Sequence, residues 1–155
     1  MKLIGSTKNA LQFRLGRQEK QMLLALLKVY PCSPAAREPL SKAGGLPDQE
    51  AAQKLLDEAL AEHRQENRRQ LQALLADPRR WQEQGGGWRL SLSPGDLEWL
   101  LQVLNDIRVG SWVLLGSPEQ GEARLDQKTA PHYWAMELSG QFQVQFLEAI
   151  AGSNY

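Results

Sequence analysis

The chain has 155 residues and a mass of 17.4 kDa; 42% of its residues are apolar and 23% charged, and 18 basic side chains balance 18 acidic ones. That size supports one hydrophobic core, so residues 1–155 read as a single domain, and the composition excludes intrinsic disorder, a collagen-like fibre and a disulfide-rich scaffold. Zero net charge removes any global attraction to nucleic acid or an anionic membrane and leaves room only for a local patch.

Cys32 is the single cysteine, so no intramolecular bridge can form, and the opening MKLIGSTKNA lacks the apolar run of a signal peptide. A cytoplasmic protein is expected. The densest apolar window, Val109 to Leu115, falls well short of the roughly 18 residues a membrane span needs.

Leu11, Phe13 and Leu15 alternate with polar residues and predict a strand. After Gly16, residues 18–30 carry Met22, Leu23, Leu26, Leu27 and Tyr30 at helical spacing, up to Pro31. The same unit recurs further on: residues 88–92 alternate, and Ser93-Pro94-Gly95-Asp96 opens a helix with an N-cap, a first-turn proline and an acidic residue favourable to the helix dipole. Aligned without gaps, Phe13 meets Leu90, Leu15 meets Leu92 and Leu27 meets Leu104. Two isolated strands leave their edges unsatisfied, so they are expected to pair, antiparallel, as a two-stranded ribbon with both following helices on its apolar face.

Between the two units, Pro31 to Pro47 reads as a connection, and a long helical run follows to Asp77. Its first third is amphipathic through Leu55, Leu56 and Leu60, whereas residues 62–70 are almost wholly polar, so the helix is expected either to break near Ala61 to Asn67 or to project into solvent there. Gly85 to Gly87 leads into the second strand, and residues 117–126 form a loop. A last helix capped near Thr129 aligns Trp134, Leu138, Phe142, Phe146 and Ile150 at spacing four. The expected class is mainly α: about four principal helices with a small β-ribbon.

No catalytic constellation stands out. His63 and His132 are far apart with a single cysteine, so no metal set is expected, and no cofactor; the triple glycine is followed by a strand, unlike a phosphate-binding loop. Arg64, Arg68, Arg69, Arg79 and Arg80 lie beside Trp81 and form a candidate nucleic-acid patch, but acidic residues are interleaved, and Glu66 can pair with Arg69. A solvated, ion-paired face is the preferred reading. In the helix from Pro94 to Leu115, Arg108 projects inside the apolar arc between Leu101 and Leu97, where an internal ion pair with a partner such as Glu19 or Glu137, or a stem that snorkels to water, is preferred over a binding role for the Asn105-Asp106-Arg108 group. Asn105 borders that arc; Trp99, Asp106 and Val113 point away from it.

The run Glu98-Trp-Leu-Leu-Gln-Val-Leu-Asn-Asp-Ile-Arg108, followed by Gly110 and Leu114-Leu115-Gly116, resembles the signature of the bacterial "domain of unknown function 2017" family. The order of the surrounding pieces is similar, although the Pro31 to Pro47 connection and the triple glycine have no counterpart in it. The resemblance implies a signature set of Trp99, Asn105, Asp106 and Arg108. It also implies an association with gene neighbourhoods of a Clp-protease adaptor or with a transcription-regulator role, and no established activity.

The preferred function is therefore a non-enzymatic cytoplasmic protein-interaction module, a regulator or adaptor with a protein partner. The alternatives are a nucleic-acid-binding regulator using the Arg64 to Arg80 patch, or an enzyme with a site around Asp106 and Arg108. Trp99 and Val113 on the far side of their helix, with Tyr133, Met136 and Leu147 outside the last helix's ladder, predict a homodimer; the competing arrangement folds the long helix across Trp99 and leaves a monomer.

Overall fold

The computed structural model describes residues 1–32, 49–119 and 125–152. In chain order these form strands β1 (Lys2–Ser6) and β2 (Leu11–Leu15), helices α1 (Arg17–Leu27) and α2 (Gln49–Ala76), strands β3 (Trp81–Gln84) and β4 (Gly87–Leu92), and helices α3 (Pro94–Leu114) and α4 (Ala130–Ala151). The two alternating segments pair as their pattern demands, antiparallel, with Leu11 opposite Leu92, Phe13 opposite Leu90 and Leu15 opposite Trp88. They are not an isolated ribbon. β1 flanks β2 and β3 flanks β4, giving a four-stranded antiparallel sheet of order β1-β2-β4-β3, so the class is α+β and the expectation of a mainly α fold is corrected.

The two missed strands are the sheet's edges, and neither shows a period of two. In β1 the apolar Leu3 and Ile4 are adjacent in sequence, and the pairing register shifts between Leu3 and Gly5, so Ile4 has no partner opposite it. In β3 the only apolar residue is Trp81, which is buried, while Gln82, Glu83 and Gln84 are exposed. An edge strand buries fewer side chains than a central one, so its composition is less constrained.

The described helices that touch the sheet, α1, α3 and α4, lie on one side of it. Phe13, Leu15, Leu90 and Leu92 meet Leu23, Leu26 and Leu27 of α1 and Phe142 and Phe146 of α4, and the Phe13 and Phe146 rings stand edge to face with centroids 5.1 Å apart. Lys20 of α1 lies over the Trp88 ring, 3.1 Å from its centroid, and 5.0 Å from that of Trp81, a cation–π contact at the margin of this core.

Helix α3 starts where Ser93 predicts: the Asp96 amide donates to Ser93 Oγ at 3.0 Å and the Ser93 amide to Asp96 Oδ2 at 3.1 Å. On α4, Leu138, Phe142 and Phe146 are buried as expected, but Trp134 is exposed and Ile150 only half-buried. A ladder at spacing four drifts about 40° per step around a helix of 3.6 residues per turn, so its two ends leave the core, and Ala135 and Ser139 fill the buried positions instead.

Helix α2 is unbroken, and residues 62–70 face solvent apart from Arg64 and Asn67, so the second of the two expected arrangements holds for most of that stretch. Leu55 in the apolar first third is among the most exposed large side chains, whereas Asn67 in the polar stretch is buried together with Leu71 and Leu74. Most of the Pro31 to Pro47 connection and part of the 117–126 loop lie outside the described residues. No described helix is long and apolar enough to cross a membrane.

Candidate functional site

Asn67, Leu71 and Leu74 stand at i, i+4 and i+7, one continuous face of α2, and His63 extends that face by a further turn. This face lies against α3 and the residues that follow α1. The Trp99 indole can only donate, and it does so to Asn67 Oδ1 at 3.0 Å; that fixes the amide, whose Nδ2 donates to Tyr30 Oη at 3.0 Å and lies 3.3 Å from His63 Nε2. Four side chains from three segments thus form one closed network. Burial pushes the Tyr30 phenol up from its ordinary range, partly offset by the Asn67 hydrogen bond.

Next to it, Cys32 Sγ donates to the Ile107 carbonyl at 3.3 Å and lies 3.6 Å from Ser111 Oγ. Burial pushes the thiol up, so it is held as a weak donor and not as a nucleophilic thiolate. Gly110 makes this approach feasible, because a Cβ there would stand 2.9 Å from Cys32 Sγ and 3.3 Å from its carbonyl.

Asp106 is one turn from this contact. Desolvation pushes its carboxyl up, against the opposing pull of His63 and Arg64. A raised carboxyl pKa weakens the fold at pH values above the folded pKa, and that penalty disappears below the unfolded value near 3.9. Asp106→Asn is therefore expected to raise the melting temperature slightly at pH 7, with the gain vanishing as the pH falls below about 4. Paired thermal melts at the two pH values check this; a loss of stability at pH 7 contradicts it.

The signature residues do not share one site. Trp99 joins the Asn67 network and Asp106 faces His63 and Arg64 of α2, while Arg108 is on the α4 side of α3. Of the two structural readings of Arg108, the internal ion pair is not found and the snorkelling stem is: the residue is exposed and makes no ion pair with Glu19 or Glu137 among the described residues. Its Nη2 donates to Asn105 Oδ1 at 2.8 Å, and its stem runs past Gly140, where a Cβ would lie 3.6 Å from Arg108 Cδ. Glu19 instead accepts from the Gly16 amide at 3.3 Å and lies 2.8 Å from the Met1 amine. The buried arc of α3 ends at Leu97, so an arginine just beyond it lays its stem on the neighbouring helix and keeps its charge in water. Glu137, Gln141 and Val144 complete an open groove of about 620 Å³ beside it. The alternative of a site that combines Asp106 with Arg108 is not assembled: the two residues face opposite sides of α3.

The arginine patch is divided as well. Arg69 pairs with Glu66 at 3.2 Å, as the spacing predicts, and Arg79 with Asp77 at 3.2 Å; Arg80 is held by Asp96 and Asp77. Arg64 is half-buried near Tyr30 and Asp106, while Arg68, Arg69 and Arg79 are exposed. Trp81, the expected stacking platform, is buried in the core. Among the described residues no group of three or more His, Cys, Asp or Glu side chains is placed to hold a metal ion. The network around Asn67 was missed by the sequence reading, although the i, i+4, i+7 spacing through Leu71 and Leu74 carries its signal.

The chain matches no family model, no curated protein and no solved structure in the comparisons made with each.

Proposed function

We propose that the protein is a non-enzymatic interaction module, a regulator or adaptor, that docks through the outward stripe of α3, with a second copy of the chain as the occupant. The observation that supports this is exposure of the stripe: Val109, Trp112 and Val113, at i, i+3 and i+4, are 43%, 40% and 38% exposed. Trp112 is not loose, since its indole donates to the Pro118 carbonyl at 3.0 Å, which presents the ring as a fixed apolar surface. These three residues carry no charge, so two copies can meet about a two-fold axis without like-charge repulsion. Trp99, one of the residues from which a dimer was expected, is covered by α2, the arrangement weighed above for a monomer, so the proposed interface rests on the C-terminal half of α3 alone. Kinship with the "domain of unknown function 2017" family is part of this proposal and rests on the Trp99 to Arg108 signature.

Light scattering at micromolar concentration is expected to give twice the 17.4 kDa chain mass. The double variant Val109→Asp/Val113→Asp is expected to return it to one chain with its melting temperature retained. A monomeric mass for the wild-type protein, or a dimer indifferent to both substitutions, overturns the proposal.

A further inference from the structure

Among the described residues no helix covers the other side of the sheet, and that side carries a row of cations, Lys2 and Arg14 exposed and Arg89 half-buried. Lys2 of β1 is opposite Arg14 of β2, Arg14 is opposite Arg89 of β4, and Arg89 is opposite Gln82 of β3. Their sequence neighbours Leu3, Phe13 and Leu90 turn towards the helices, so alternation places the row on the outer face. With strands roughly 4.8 Å apart, the three cations span about 10 Å in one line.

Like charges directly opposite each other across strands weaken a sheet, and the outward positions around this row hold Gln12, Gln84 and Ser91 but no carboxylate. Glu83 is on the inner side, opposite Trp88 and 3.7 Å from Arg17. In a chain with as many acidic as basic residues, this unbalanced row departs from what stability alone favours.

The two guanidiniums are aligned by neutral acceptors, which leave their charge uncompensated. Arg14 Nη2 donates to the Gly85 carbonyl at 3.1 Å, and Arg89 Nη2 donates to Gln82 Oε1. Arg89 Nε is buried with no hydrogen-bond partner among the described residues. The triple glycine belongs to this arrangement: Gly85 and Gly86 turn at φ of 56° and 79°, and a Cβ on Gly85 would stand 3.3 Å from Arg14 Nη2.

We propose that this face binds the phosphodiester backbone of a single-stranded nucleic acid. Ile4 is the only large apolar side chain exposed on these strands, so the apolar centre typical of a protein interface is missing. A flat sheet face presents neither a helix nor a ribbon to enter a duplex groove. Trp81 and Trp88 lie on the inner side with Lys20, so bases are not stacked and recognition is independent of sequence. The surface is separate from the α3 stripe, and the inference does not depend on the proposed dimer.

Anisotropy of a labelled oligothymidylate tests it. Three phosphate contacts give a slope of log affinity on log salt of about −2, so a tenfold rise in salt weakens binding about a hundredfold. Arg14→Gln/Arg89→Gln is expected to reduce the slope to about −0.7, Lys2→Gln on its edge strand to about −1.4, and Arg68→Gln/Arg69→Gln on α2 to leave it unchanged. Circular dichroism confirms that each variant is folded; if the Arg14/Arg89 variant is not, Lys2→Gln decides. Absence of binding at low salt, a slope indifferent to the row, sensitivity to Arg68 and Arg69 instead, or equal affinity for polyglutamate through the same residues overturns the inference.

Discussion

Phe146→Ala is expected to destabilise the protein by about 3–5 kcal/mol, the range for removing a fully buried aromatic ring. Phe146 has no exposed surface and stands edge to face with Phe13, so truncation leaves a cavity where α4 meets β2. Backbone relaxation cannot fill it readily, because Phe13 is fixed on the other side by pairing of β2 with both β1 and β4. At this chain length each kcal/mol lowers the melting temperature by about 2–4 °C, which predicts a fall of roughly 6–20 °C. Val144→Ala, two residues away and half-exposed, is the control and is expected to change stability by less than about 1 kcal/mol. Urea unfolding of both variants checks the pair; equal effects would show that α4 does not present Phe146 to the sheet.

This dependence on one ring shows which parts of the fold were legible. β2 and β4 bury alternate residues completely, so Phe13 opposite Leu90 could be inferred from the pattern and is found in the register. β1 and β3 are held mainly by backbone hydrogen bonds to a single neighbour, which any non-proline sequence can make, and KLIGS and WQEQ therefore carry little trace of their role. Ser93 was legible as a cap because its hydrogen bond is local. The partner of Arg108 was not, because the difference between a buried arc and its margin is one residue's rotation about α3, decided by where α4 lies.

The candidate functional surfaces divide in the same way. Residues 109–115 were already conspicuous as an apolar run, and the exposure of Val109, Trp112 and Val113 within it is a matter of tertiary packing that no local pattern states. The cationic row is invisible in sequence for another reason: Lys2, Arg14 and Arg89 are scattered along the chain, and only the strand order β1-β2-β4 aligns them. Recognising β1 was the missing step, since without it Lys2 belongs to no sheet.

Asn67→Leu is expected to cost about 2–4 kcal/mol although it replaces a polar side chain in a helix with an apolar one of similar size, because two neighbouring groups lose their partner at once. The Trp99 indole N–H and the Tyr30 hydroxyl both bond to Asn67 at 3.0 Å, and Tyr30 is almost fully buried, so water cannot easily substitute there. Tyr30→Phe alone removes the hydroxyl together with its need for a partner, and its expected cost is only about 1 kcal/mol. The two effects must be coupled: in the Asn67→Leu background the hydroxyl is already stranded, so Tyr30→Phe becomes neutral or stabilising, with a coupling energy of about 1–2 kcal/mol. A double-mutant cycle by urea denaturation measures this directly. Strict additivity would mean that Tyr30 and Asn67 stabilise the fold independently, with the Trp99–Asn67 hydrogen bond standing apart from the tyrosine.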